Sequence, residues 1–160
     1  MESAKENLAF DFEDLIVYQK SLAFVDYVYE ITKPFPREEE YRLKSQFVRA
    51  AQSIALNIAE GSGGTKHEFK YFLRIAKRSI RECIVCSTIA KRQTLINIVT
   101  ERECRNYLVE LSKILNSLIR SIKTDDGKNQ VREPILSYFT EFKNQDQFIT
   151  PNSELKNSEL

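Results

Sequence analysis

Glycine and proline are scarce in this 160-residue chain, four of each, where average usage is about 7% and 5%. The shortage argues against a turn-rich β-sandwich or barrel. Three of the glycines stand together at Gly61, Gly63 and Gly64, and no proline occurs between Pro36 and Pro134, so long helices with one tight connection are expected. Histidine is nearly absent as well. His67 is the only one, so no two-histidine metal site can form within one chain, and a Ser-His-Asp site has nothing else to support it. The three cysteines are an odd number, and the N-terminus lacks the basic and apolar regions of a secretory signal. A reducing cytoplasm is the expected home. Long apolar runs are missing too. The longest uncharged stretch of the central region, Ala50 to Ala59, is about half of what a membrane-spanning helix needs, so no membrane contact is expected.

Charge is present in quantity and unevenly placed. The formal total is only +1, yet residues 14–123 carry 19 Lys and Arg against 12 acids. Residues 1–13 and 124–160 are each net −3. A basic centre with acidic ends favours an anionic partner, although solvated Lys and Arg are common on helical surfaces.

Apolar residues recur at helical spacing in four places. Asp14 opens the first, with Leu15, Tyr18, Leu22, Val25 and Tyr29 as its stripe, ending before Pro34 and Pro36. Glu38, Glu39 and Glu40 favour the start of a second helix through the dipole, with a stripe of Leu43, Phe47, Ala50, Ile54 and Ile58 and a left-handed cap at Gly61. The third starts at the capping box Thr65-x-x-Glu68 and carries Phe69, Leu73, Ala76, Ile80, Cys83, Ser87 and Ala90. A second box, Thr100-x-x-Glu103, opens the fourth, with Cys104, Leu108, Leu111, Leu115, Leu118 and Ile122 in coiled-coil-like steps. The expected fold is all-α, an antiparallel up-down four-helix bundle with helices near 14–33, 38–61, 66–91 and 101–123. An acidic N-terminal arm, 1–13, precedes it. An acidic flexible tail, 124–160, follows, with one short helical piece from Pro134 to Phe142.

Catalytic chemistry has little to work with. Cys83-x-x-Cys86 has a two-thiol spacing, but in mid-helix it reads as a pair of small core residues, and a metal would need two further ligands. The glycine-rich turn lacks the Gly-Lys-Ser/Thr of a phosphate loop and follows a helix. No enzyme activity, cofactor or metal is expected.

Helix three is the most informative element. Projected at about 100° per residue, Lys66, Lys70, Arg74, Lys77, Arg78 and Arg81 share one third of the wheel with His67. Glu68 and Glu82 fall outside that arc. A merely solvated face is the plain alternative, and it would be expected to show interspersed acids in i,i+4 pairs. The arc therefore reads as a contact for a phosphate backbone, helped by the free amides at the helix N-terminus. Helix two carries a narrow polar strip, Arg42, Arg49, Ser53, Asn57 and Glu60, beside small residues and a wide apolar arc. Arg49, Ser53, Asn57 and Glu60 are read as a structural strip, a hydrogen-bond network that fixes register at a bundle or subunit interface.

The run Gln46 to Gly61, preceded by Phe35-Pro36 and Glu40-Tyr41-Arg42-Leu43, resembles the four-helix-bundle family encoded in intervening sequences of bacterial 23S rRNA genes. Phe12-Glu13-Asp14-Leu15 with Tyr18-Gln19-Lys20 matches its opening, and Glu68-Phe69, Phe72-Leu73, Ile75-Ala76, Ser79-Ile80 and Glu82 match its third helix. The likeness covers about residues 12–122. Gly64 stands where the family often has a basic residue, and Arg78 where it often has glycine. The resemblance implies a non-enzymatic homopentameric ring associated with ribosomal RNA. It also implies kinship with accessory subunits of the reverse transcriptases of diversity-generating retroelements. The leading reading is thus a cytoplasmic oligomer that holds rRNA or other nucleic acid through helix three. The runner-up is a protein-interaction scaffold or accessory subunit whose cations meet an acidic protein, such as a reverse transcriptase.

Overall fold

The computed structural model describes residues 10–123, which form four α-helices and no strand. These are α1 (Ile16–Thr32), α2 (Leu43–Ser62), α3 (Lys66–Arg92) and α4 (Ile98–Ser121). Each helix packs on its neighbours in cyclic order, α1 on α2, α2 on α3, α3 on α4 and α4 back on α1. Cross-contacts fix the directions. Lys20 meets Glu110 while Tyr27 meets Glu103, so α1 and α4 are antiparallel. Ser53 meets Ser79 while Gly61 abuts Phe72, so α2 and α3 are antiparallel as well. The architecture is a four-helix bundle.

Three of the expected stripes lie in the core as read. Phe47, Ala50, Ile54 and Ile58 of α2 are buried, with Leu43 packed half-buried against them. All seven stripe residues of α3 and all six of the fourth helix are buried. The first stripe is corrected in part. Leu15 is buried and Tyr18 and Val25 pack half-buried against the core as expected, but Leu22 and Tyr29 are exposed, and Val17, Ser21, Phe24 and Val28 face the core instead. Apolar residues occur on nearly every side of α1, so the wheel allows two overlapping stripes. The buried one admits Ser21 because its hydroxyl donates to the Tyr18 carbonyl at 2.6 Å, which satisfies the group without water.

Helix ends also depart from expectation at three points. Asp14 belongs to a 3-10 turn, Asp11–Asp14, and α1 starts after Leu15. The second helix begins at Leu43 rather than near 38, because Arg37–Glu39 form a 3-10 turn and Arg42 leaves helical geometry at φ −115°, ψ −110°. Glu39 still serves the helix start, accepting the Leu43 N–H at 3.3 Å. The fourth helix begins at Ile98, not at the Thr100 box. Asn97 is its cap and accepts the Thr100 N–H at 2.8 Å. The Thr65–Glu68 box is present in both directions.

Gly61 does not take a left-handed cap. It lies inside α2, and Gly63 ends the helix with an ordinary right-handed conformation. What Gly61 permits is close approach, since a Cβ there would stand 2.6 Å from Phe72 Cβ and 3.0 Å from the Phe69 ring. At the far end of α3 the chain reverses through Thr94, at φ 57°. The Leu95 N–H bonds the Ala90 carbonyl and the Thr94 N–H bonds that of Lys91, the pattern in which glycine is usually found at the left-handed position. Leu95 then packs on a small satellite core of Phe35, Ala90 and Ile96.

Of the expected acidic arm, residues 10–13 are described. Phe12 is packed on the core and meets Tyr18 edge to face at 5.0 Å. Residues 1–9, and the tail with its Pro134–Phe142 piece, lie outside the described residues.

Candidate nucleic-acid interface

Along α3 the core stripe fixes the opposite face. Because Phe69, Leu73, Ala76, Ile80 and Cys83 point inward, the residues one third of a turn away are turned to solvent. Arg74, Arg78 and Arg81 are exposed, and Lys66, Lys70 and Lys77 are half-buried where the face bends toward the core. From Lys70 to Arg81 the row runs about 16 Å at 1.5 Å per residue. Among the described residues Lys70, Arg74, Lys77, Arg78 and Arg81 form no ion pair. The structure thus brings the six cations together on one face, as the wheel predicts. At the helix N-terminus the capping box engages two of the amides: Thr65 Oγ1 accepts the Glu68 N–H at 3.3 Å, and the Glu68 carboxylate accepts the Thr65 N–H at 2.7 Å.

The polar strip of α2 divides. Ser53 Oγ and Ser79 Oγ are 2.9 Å apart, linking α2 to α3, and Asn57 Nδ2 donates to the Ser53 carbonyl and hydroxyl at 2.7 and 3.0 Å. Those two strip residues therefore belong to a network inside the bundle. Arg49 and Glu60 are exposed on the outer edge of α2, together with Leu56, which is 65% exposed.

The thiols lie in the core. Cys83, Cys86 and Cys104 are all buried and unlinked. Burial, with Glu82 second, pushes the Cys86 thiol up to about 11. Burial likewise raises Cys104 to about 12, against a lowering bond from Ser87. Cys83 is raised further by the same cause. Thiols held protonated in this way are poor nucleophiles and poor metal ligands. Among the described residues no three His, Cys, Asp or Glu side chains are grouped to hold a metal.

Sequence reading missed an open cavity of about 440 Å³ between α1 and α4, lined by Tyr27, Glu103, Asn106, Tyr107 and Glu110. Tyr27 Oη donates to the Thr100 carbonyl at 2.9 Å and lies 3.4 Å from Glu103 Oε2. Its ring is 5.0 Å from that of Tyr107. Burial first, then the neighbouring Cys104 and Glu103, raise the Tyr27 hydroxyl above its ordinary range. Tyr27 and Glu103 are far apart in the chain, and only the antiparallel register of α1 and α4 brings them together.

The described residues thus form a four-helix bundle with a row of cations along α3 and three buried thiols in its core. The model of the 23S rRNA-intervening sequence protein family matches residues 13–117, and the chain belongs to that family. Among solved structures it is similar to a protein of unknown function from the S23 ribosomal protein family of Bacteroides thetaiotaomicron VPI-5482. The two are 25% identical over 66% of this chain and 99% of the other, with a TM-score of 0.59. No curated protein matches the chain. Among the described residues no helix is long and apolar enough to cross a membrane.

Proposed function

We propose that this chain is a non-enzymatic RNA-associated protein of the cytoplasm, which holds the phosphates of ribosomal or other RNA along α3. The observation that carries the reading is the row Lys70, Arg74, Lys77, Arg78 and Arg81, whose charges have no ion-pair partner among the described residues. Membership of a family named for 23S rRNA intervening sequences supports it. No aromatic side chain stands within the row, and Tyr71 is at its edge, so contact is with the backbone and sequence preference is low.

The same reading includes self-assembly into a five-membered ring, as the family resemblance implies. Leu56, Arg49 and Glu60 on the outer edge of α2 would meet a different patch on the next copy. A ring would repeat the α3 row around its axis and make weak contacts avid. A second reading, an acidic protein partner, is favoured by Tyr71, Val85 and Ile89, which are 54%, 57% and 40% exposed on the outer side of the same helix.

Filter binding of ribosomal RNA and of an unrelated RNA across a salt series tests the function. Five or six neutralised phosphates give a slope of log affinity on log salt of about −4 to −5, similar for both RNAs. A salt-independent affinity would refute it. Light scattering tests the assembly, with about five times 18.7 kDa expected and a monomer as the contrary result.

A further inference from the structure

The fourth helix carries cations that α3 does not account for. Arg102, Lys113 and Arg120 are exposed, and steps of eleven and seven residues place them within about 20° of one line on α4. Among the described residues none of the three has an ion-pair partner. The acids of α4 are turned elsewhere. Glu101 is buried and bonded to Arg105, Glu110 is paired with Lys20 at 2.6 Å, and Glu103 faces Tyr27.

The row lies beside the α3 cations. Arg105 Nη2 donates to Thr88 Oγ1 at 2.9 Å across the α3–α4 seam. Thr88 shares its side of α3 with Lys70 and Lys77, within about 20° on the wheel, and Arg105 sits about 60° from the line of Arg102. Passing over the seam from α3 to α4 therefore leads from one row of cations to the other, with no unpaired carboxylate between them among the described residues. Packed helices lie about 8–10 Å apart, which sets the spacing of the rows.

Between the two rows no ring stands on which a splayed base could stack, since the exposed rings of His67 and Tyr71 lie on the side of the α3 row away from α4. Tyr107, the aromatic residue of α4, is packed against Tyr27 and Phe24 on the α1 side. Recognition of single-stranded RNA depends on such stacking, whereas duplex RNA is held by backbone and shape. A single strand offers one line of phosphates, and a duplex offers two, both facing outward.

We propose that Arg102, Lys113 and Arg120 form a second row of phosphate contacts, and that the α3 and α4 rows together take a double-stranded RNA segment by its two backbones. This rests on the RNA reading of the α3 face and narrows it to a duplex.

The test uses the full chain, with an RNA duplex of about 20 base pairs and one of its strands alone as probes. Wild-type protein should bind the duplex more tightly than the strand, with a salt slope steeper by about two to three than α3 alone would give. The combined variant Arg102→Gln, Lys113→Gln, Arg120→Gln should lose roughly ten- to hundredfold in duplex affinity and flatten the slope by that amount. Arg120→Gln alone should flatten it by about one, and Lys113→Arg should leave both unchanged. Full duplex affinity in the combined variant, beside loss of binding in an α3 charge-reversal variant, would overturn the α4 row and leave the α3 reading standing. Equal affinity for strand and duplex would overturn the duplex assignment. Failure of the wild-type chain to bind either RNA would overturn both readings.

Discussion

The α3 face and the α1–α4 cleft are both charged surfaces of one small bundle, and they use charge in opposite ways. In the cleft each ionic group is tied to a neighbour. Lys20 holds Glu110, and Tyr27 spans from the Thr100 carbonyl to Glu103. On α3 five cations stand in a row with no ion-pair partner among the described residues. Cleft charges thus help hold two helices in register, while removal of the α3 charges should leave the bundle intact. Cations that form no ion pair within their own fold are free to be selected for a partner.

That contrast can be broken first at the seam that positions α3. A methyl group at Gly61 would meet Phe72 Cβ at 2.6 Å, and forced overpacking of this kind costs about 1–3 kcal/mol. Gly61→Ala should therefore lower the urea midpoint by the largest margin among the substitutions considered. An unchanged midpoint would mean that α2 and α3 do not approach so closely.

Alkaline pH should act next. Burial raises Cys86 to about 11 and Cys104 to about 12 from an ordinary value of 9.0, so the folded chain keeps protons that the unfolded chain releases. The stability they confer is complete below that ordinary value of 9.0 and is lost as pH rises from there through 11 and 12. Melting temperature should be level from pH 7 to 8 and fall beyond pH 9, less steeply in Cys86→Ala. A level profile to pH 10.5 in wild-type protein would count against buried thiols.

Tyr27→Phe sharpens the comparison directly. Loss of its hydroxyl from the cleft should cost about 1 kcal/mol and leave RNA affinity unchanged. Altered RNA affinity would mean that the cleft and the α3 face are not separate surfaces. The smallest effect is a gain. Thr94 holds a β-branched residue at φ 57°, and Thr94→Gly should add about 0.5–1 kcal/mol. Destabilisation there would show that the threonine side chain contributes more than its strained backbone costs.

Much of this was legible in sequence where one signal stood alone. The stripes of α2, α3 and α4 were readable because most apolar residues of each concentrate on one arc, with a few exposed ones such as Leu56, Val85 and Val109 outside it, and the six cations of α3 follow from the same wheel. The stripe of α1 was not, because apolar residues surround it and Ser21 can be buried only by bonding its own helix. Two competing caps, Asn97 and Thr100, obscured the start of α4. Nor could a wheel show that the two halves of the α2 strip part company. Ser53 meets Ser79 where Gly61 lets α3 come close, and Asn57 donates to Ser53, while Arg49 and Glu60 stay outside. The α1–α4 cavity depends on helix register, which no local pattern encodes.

The central claim is that the α3 cations serve a nucleic acid and not the fold. The most direct measurement compares full-length wild type with Arg74→Glu, Lys77→Glu, Arg81→Glu, recording thermal melting and ribosomal RNA affinity on the same samples at several salt concentrations. The expected result is a melting temperature unchanged within about 2–3 °C and a loss of RNA affinity of roughly a hundredfold or more at about 0.1 M salt, with a flattened slope. Unchanged affinity with an unchanged melting curve would contradict the account.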